Sequence, residues 1–299
     1  MILRKKKRKK DIFNTPAGRV FDFFNFILMG LFAFVTLAPF LYVLAGSFAT
    51  ELEITTRSFF LWPRNITTEA YRFIFVTGTV INSMIRTAGV TIIGTLIQLF
   101  FTFTFAYPLS RPNLRGRSTI MKLVLFTMLF SGGMIPTFNV VRSLGLLNTY
   151  WALILPLAIS PFNLIIIVNN FKRFPKELIE AAHMDGCSEM GTFLRIVLPL
   201  SKPIMATFAL FYAVAIWNDF FSAFIYITDS SMWTVQVVLR QVTSLSATTM
   251  DTVVEGILDV PQTAVRFATI IVATAPILCV YPFLQKHFAK GMMVGSIKG

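Results

Sequence analysis

Six apolar runs, each near the length a helix needs to cross a bilayer, constrain this chain more than any other feature. They lie at about Phe23–Phe48, Val80–Tyr107, Ile120–Val141, Tyr150–Val168, Ile204–Ile227 and Ala264–Leu284. A hydrocarbon core of about 30 Å takes about 20 apolar residues in a helix, and a helix satisfies its own backbone in lipid. The expected fold is therefore an all-α membrane protein with six transmembrane helices. A hydrophobic share of 55% against 14% charged residues excludes a soluble domain, where charged side chains make up about a quarter. The first run follows a basic stretch, as a signal peptide does. Its apolar part is about twice the usual 7–15 residues, so it reads as a retained anchor. The segment Asn14–Asn25, with Val20, Phe23 and Phe24 on one side, reads as an interfacial helix leading into it.

Charge placement sets the expected orientation, because basic loops resist translocation. With the N-terminus cytoplasmic, the inner segments hold 20 of the 27 Lys and Arg residues, in Arg4–Arg19, Arg111–Lys122, Lys172–Lys202 and Lys286–Lys298. Both termini are then cytoplasmic, and two longer loops, Ser47–Thr79 and Thr228–Thr263, face outward. The net charge of +13 does not imply nucleic acid, since Arg4–Lys10 alone carries seven positive charges. That run is a topology signal that also attracts anionic membrane lipid. The two cysteines, Cys187 and Cys279, exclude a multi-Cys metal site and read as free thiols on the cytoplasmic side and in the last span. No repeat or linker divides the chain. It reads as a basic N-terminus with the interfacial helix (1–22), one membrane domain (23–290) containing a long cytoplasmic loop (169–203), and a short tail (291–299).

That loop is long, mixed in polarity and full of helix punctuation. Pro175 suits a first helical position, Glu177 the positive end, and Leu178, Ala181, Ala182 and Asp185 fall on one face with two small residues at its centre. Gly186 offers a C-terminal turn, and Asp185 or Ser188 can cap a second helix striped by Met190, Phe193 and Val197. Pro199 and Pro203 then break it at the membrane. The expected product is a helix–turn–helix under the bilayer, able to seat in a groove of a cytoplasmic partner or merely to cover the helix ends.

Glu180-Ala181-Ala182, Gly186, Ile196 and Leu198-Pro199 resemble, at matching spacing, the EAA motif of binding-protein-dependent ABC importer permeases. Trp217-Asn218-Asp219-Phe220-Phe221 and the ending Lys290–Gly299 are similar to the carbohydrate, maltose-permease-like branch. Asn14-Thr15-Pro16, Ser131–Pro136 and Ser143–Leu147 resemble oligosaccharide and lipo-oligosaccharide permeases of Gram-positive bacteria. Cys187 departs from the usual Ala by a small change in volume. The resemblance implies the type I importer permease fold in a bacterial plasma membrane. Its implied partners are a second homologous permease subunit, two ATPase subunits, an extracytoplasmic sugar-binding lipoprotein and an oligosaccharide substrate. It also implies ATPase coupling through Glu180, Ala181, Ala182, Met184, Asp185 and Gly186, and a tail contact through Gly295, Ser296 and Lys298. ATP and magnesium belong to the partner ATPases; no cofactor, metal or catalytic residue is expected in this chain. In agreement, it has no G-x-x-x-x-G-K-[ST] phosphate loop, and neither His183 nor His287 sits in a catalytic constellation.

Polar residues inside spans ask for an explanation. Asn218 and Asp219 lie about 22 Å along the fifth run at 1.5 Å per residue, toward the outer side, and Asn163 sits comparably in the fourth. Trp217 can stack on a sugar ring while Asn218 or Asn163 bonds its hydroxyls, or these amides simply join neighbouring helices. Pro156, Pro161 and Pro276 can break or kink their helices. The pair Gly132-Gly133 permits either close helix contact or a bend, while Gln98 and Arg86 suggest no single role. Two other classes fit less well: a secondary transporter driven by an ion gradient, opposed by the rarity of intramembrane carboxylates and by a lever-like loop it does not require, and an integral membrane enzyme, opposed by the lack of clustered ligands.

Overall fold

The structure is a computed structural model that describes residues 16–244 and 262–296, and among these every regular element is a helix. The chain packs as two units, one drawn from residues 1–71 with 259–268 and the other from the remainder.

In the first unit, α1 (Pro16–Gly46) is one uninterrupted helix. The segment after Pro16 is thus continuous with the apolar part of the helix, and the glycine it contains, Gly18, costs only about 1 kcal/mol. From Val20 to Gly46 it is apolar, and up to Leu37 it is uncovered, with Phe21, Phe26 and Phe32 among the side chains left open for lipid or a partner. The basic run Arg4–Lys10 lies outside the described residues. In the last turns of α1, Tyr42 stacks on Phe59 at 5.5 Å and meets Phe60 and Phe267 edge-on at 5.5 and 5.6 Å.

The short α2 (Glu51–Thr56) places two carboxylates. Glu51 accepts the Thr263 backbone N–H at 2.9 Å and its hydroxyl. Glu53, only 7% exposed, accepts the Arg64 N–H at 3.0 Å on each oxygen and the Asn65 N–H at 3.4 Å, and pairs with the Arg57 guanidinium. The Arg64 backbone bond, against the opposing effect of burial, holds this carboxyl below the ordinary carboxylate range. A depressed folded-state pKa means the ionised form stabilises the loop at and above the ordinary value, and that this contribution disappears as pH falls through the lower folded-state value. Protection of the Arg64 and Asn65 amides relative to their intrinsic exchange rates is accordingly expected to be high near neutrality and to fall only below the ordinary carboxylate range. Glu53→Gln should lower it at neutral pH. Equal protection in both proteins would refute the role.

The second unit is organised around α4 (Thr79–Ser110), which follows α3 (Glu69–Thr77). Then come α5 (Arg117–Leu129), α6 (Met134–Ser143), α7 (Trp151–Ile154), α8 (Pro161–Phe171), α9 (Lys176–Met184), α10 (Glu189–Thr192), α11 (Leu198–Leu200), α12 (Lys202–Trp217), α13 (Phe221–Tyr226) and α14 (Val235–Ser244). The last helix, α15 (Gln262–Ser296), starts in the first unit and continues here. Helices α7, α8, α12 and α14 all pack on α4. One core joins Phe103 and Tyr107 of α4 to Ile167 and Phe171 of α8, Phe193 and Val197 beyond α10, and Phe208 and Tyr212 of α12. Asn148, at φ +55°, ties the loop before α7 to the strip after α13: its side-chain oxygen accepts the Thr228 N–H at 2.7 Å and the Asp229 N–H at 3.2 Å.

Three stretches are unbroken and apolar enough to cross a membrane: Val20–Gly46, Thr79–Ser110 and Gln262–Val280. The others are bent pairs, which bring the number to six if each crosses once. The run Ile120–Val141 turns through 115° between α5 and α6, where Gly133 takes φ +87°. A Cβ there would meet nothing within 4 Å, so the glycine serves the bend and not a close helix contact. The run Tyr150–Val168 bends by 50°, with Pro156 in a 3-10 turn and Pro161 opening α8 under a Ser160 cap. The fifth run is not one helix either. α12 stops at Trp217, Asn218 Nδ2 donates to the Val214 carbonyl at 2.9 Å, and Asp219 Oδ1 accepts the Ser222 N–H at 3.1 Å. Short polar side chains that bond the backbone this way compete with the helical ladder. Pro276, by contrast, sits inside an unbroken α15. The residues from Gly291 continue that helix to Ser296, with no proline to stop it. Lys298 lies outside the described residues.

Candidate functional site

The elbow predicted below the bilayer forms as two helices with a tight turn between them. Pro175 (φ −54°, ψ 129°) precedes the first helical residue rather than occupying it, and Glu177 lies in the first turn of α9. At the other end Gly186 adopts φ +79°. Its N–H reaches the His183 carbonyl at 3.0 Å and the Cys187 N–H reaches the Ala182 carbonyl at 2.9 Å, a Schellman closure that satisfies two otherwise open carbonyls. Ser188, and not Asp185, caps the second helix by accepting the Gly191 N–H at 3.1 Å. The chain then widens into a π turn at Phe193–Val197, passes through α11 and bends by 78° at Ser201 before α12. The break falls at Ser201 rather than at Pro199, which is carried within the short helix that follows the π turn.

The faces of α9 differ from the expected pattern. Ala182 is 4% exposed and Ile179 half-buried, whereas Leu178 is 45% and Met184 88% exposed. The helix rests on Ala182, so Leu178 turns outward and the expected common face of Leu178, Ala181, Ala182 and Asp185 splits. Glu180, Ala181, Met184, Asp185 and Gly186 remain open, covered by none of the described residues. In the second helix Phe193 and Val197 are buried, but Met190 is 59% exposed.

Sequence reasoning missed the group that fastens this elbow. Tyr107, near the end of α4, donates its hydroxyl to Glu189 Oε2 at 2.8 Å, and Glu189 Oε1 lies 3.5 Å from His183 Nε2. The Arg111 guanidinium lies 4.4 Å from the Tyr107 ring centroid, and the Phe193 ring 4.9 Å. A cavity of about 450 Å³ lies alongside, lined by Tyr107, Arg111, Glu189 and Phe193 among others. Positions 82 apart offer no local signal of such a pairing.

Within the membrane region, Ser83, Thr87, Thr91, Thr95, Gln98 and Thr102 are all buried on one stripe of α4. Their spacing of four or three residues was a legible helical period. Thr87 Oγ1 accepts the Val235 N–H at 2.8 Å, and Thr102 bonds Tyr212 at 3.0 Å across to α12, where Asn163 also interacts with the Tyr212 hydroxyl. The side-chain oxygens of Thr91, Thr95 and Gln98 and the Trp217 indole N–H are buried with no partner among the described residues. Trp217 packs with Val235 and Ala273 and borders an apolar cavity of about 330 Å³, which Thr91, Val214 and Pro276 also line. Asn218 is exposed. The structure therefore joins Asn163 to the Tyr212 layer and sets Trp217 on a cavity, while Asn218 and Asp219 serve the break after α12. Among the described residues no three His, Cys, Asp or Glu side chains gather as a metal site, and both cysteines are free.

This architecture has relatives. Protein LplC of Bacillus subtilis (strain 168) is 59% identical over 289 residues, covering 96% of this chain and 97% of the relative. The polygalacturonan/rhamnogalacturonan transport system permease protein YtcP of the same organism is 48% identical, covering 94% and 99%. A crystal structure of a bacterial ABC transporter involved in the import of the acidic polysaccharide alginate superposes with a TM-score of 0.86 at 30% identity, covering 92% of this chain and 99% of that one. The fold is that of type I ABC importer permeases, subunits that are not themselves enzymes. Residues 12–294 match the profile of the binding-protein-dependent transport system inner membrane component, and it is to that family that the chain belongs.

Proposed function

We propose that this chain is the permease subunit of an ATP-driven oligosaccharide importer in a bacterial plasma membrane, with six spans and both termini cytoplasmic. Three unbroken spans and three bent pairs make six if each pair crosses once, and the concentration of Lys and Arg favours that orientation. It works with a second homologous permease, two ATPase subunits that bind ATP and magnesium, and an extracytoplasmic binding lipoprotein. Relatives named for polygalacturonan and alginate transport support a polymeric or oligomeric sugar as cargo.

The observation that carries the reading is the elbow. Its first helix is closed by Gly186 and leaves Glu180, Ala181, Met184 and Asp185 open as one rigid surface. A helix this short is marginal alone, so its capping and its seat on Ala182 are what make it a lever. When the ATPases close, the lever moves with them and the spans change their opening. The sugar's route runs past Trp217 and the side-chain oxygens of Thr91, Thr95 and Gln98 on α4, where a few polar groups in an apolar wall suit brief contacts with hydroxyls.

The test uses the reconstituted complex, with galacturonate, arabinose and maltose oligomers as probes. Trp217→Phe, which keeps an apolar ring and removes the N–H, should lower uptake of the transported probe roughly fivefold with the ATPases still bound, as expected for one lost hydrogen bond. Asn218→Ala should raise KM. Wild-type kinetics in both variants would assign these positions to structure alone.

A further inference from the structure

Two kinds of tie hold the elbow to the membrane helices. The covalent one runs at one end through the turn at 172–175 between α8 and α9, and at the other through the π turn Phe193–Val197 and the 78° bend at Ser201 before reaching α12. Widened turns and interrupted ladders are where helices bend, so this tie yields under load. The other tie is non-covalent. The Glu189 carboxylate takes the Tyr107 hydroxyl at 2.8 Å, with the Tyr107 ring held between neighbours: Phe193 at 4.9 Å and the Arg111 guanidinium at 4.4 Å. Tyr107 belongs to α4, against which α7, α8, α12 and α14 all pack.

We propose that Glu189 is a positioning residue for coupling: through Tyr107 it latches the elbow to the end of α4, and movement of the elbow enters the bundle by this latch rather than along the chain. The proposal rests on the coupling role given to the elbow above. Of the two contacts Glu189 makes, the one to Tyr107 dominates. His183 and Glu189 are 42% and 62% exposed, and pairs so open to water contribute little. The Tyr107 bond is half-buried and charge-assisted, hence shorter and stronger.

The experiment measures ATP hydrolysis by the whole complex in nanodiscs, with and without its solute-binding protein. Tyr107→Phe and Glu189→Ala should each reduce the stimulation roughly tenfold, and the double variant should be no worse than either alone, the mark of two residues acting through one bond. Glu189→Gln, whose amide oxygen still accepts the Tyr107 hydroxyl, should retain most of it, and His183→Ala nearly all. ATPase subunits should co-purify with every variant. Additive losses in the double variant, wild-type stimulation in both singles, or a Glu189→Gln as impaired as Glu189→Ala would each overturn the latch. Gly186→Val separates the two levels. If it abolishes stimulation while the latch variants do not, the latch alone is wrong; if it too has no effect, the coupling role of the elbow is wrong.

Discussion

A transporter carrying Gly186→Val is expected to lose at least about tenfold in uptake, whereas Gly186→Asn keeps most of it. A Cβ at Gly186 would meet nothing within 4 Å, so crowding is not the cause. The backbone is. At φ +79° an L-residue with a Cβ pays about 1–2 kcal/mol, a β-branched one more, and asparagine less because its amide bonds locally. Valine relieves that strain by opening the turn, which releases the His183 and Ala182 carbonyls and swings α9 away from α10. The proposed ATPase-facing surface is then lost without any of its side chains being altered. Glu180→Lys tests the same surface differently, because it leaves the turn intact and reverses one exposed charge; ATPase docking should weaken while the elbow stays folded. Uptake is measured in proteoliposomes and docking by co-purification. Normal values of both in Gly186→Val and Glu180→Lys would remove the elbow from the mechanism.

The second large effect is on stability. Gly46 ends α1 where the chain passes beneath the Phe267 ring, and a Cβ there would sit 2.6 Å from Phe267 Cε2. Gly46→Val must push the ring aside, and with it the edge-on contact to Tyr42 at 5.6 Å and the Tyr42 stack on Phe59. Overpacking of this kind costs about 1–3 kcal/mol, and a rigid ring adjusts less than an aliphatic chain. The purified protein should melt several degrees lower in detergent. Adding Phe267→Ala, which opens the space the valine needs, should recover part of the loss even though Phe267→Ala alone is destabilising. A melting temperature unchanged by Gly46→Val, or no recovery in the double variant, would show that the two residues do not touch as described.

Much of this was legible from residues alone, for identifiable reasons. The apolar runs announce helices because lipid leaves the backbone no other partner. The elbow announced itself because its determinants are local: Glu177 at a helix start, Ser188 as a cap and Gly186 as a stop each act within four residues of their own position. The breaks were less legible. Gly132-Gly133 allowed both a bend and a close contact, and only the 115° turn with empty space around Gly133 decided between them. The fifth run looked continuous because hydropathy does not register that Asn218 and Asp219 bond their own backbone. The polar stripe of α4 was readable at its four- and three-residue spacing, yet its burial was not, since that depends on α12 and α8 lying across it.

From its sequence alone, then, the chain is determined to be helical, embedded in a membrane and furnished with a capped helical elbow, because helix formation, capping and transfer into lipid are set by neighbours along the chain. Tertiary structure decided which side of that elbow faces away from the protein and what it is fastened to. Leu178 and Ala182, which periodicity set on one face, part company, one exposed and one buried, and Tyr107 meets Glu189 across 82 residues. Such choices depend on the shape of the surface a helix comes to rest upon, and that surface exists only once distant segments have packed together.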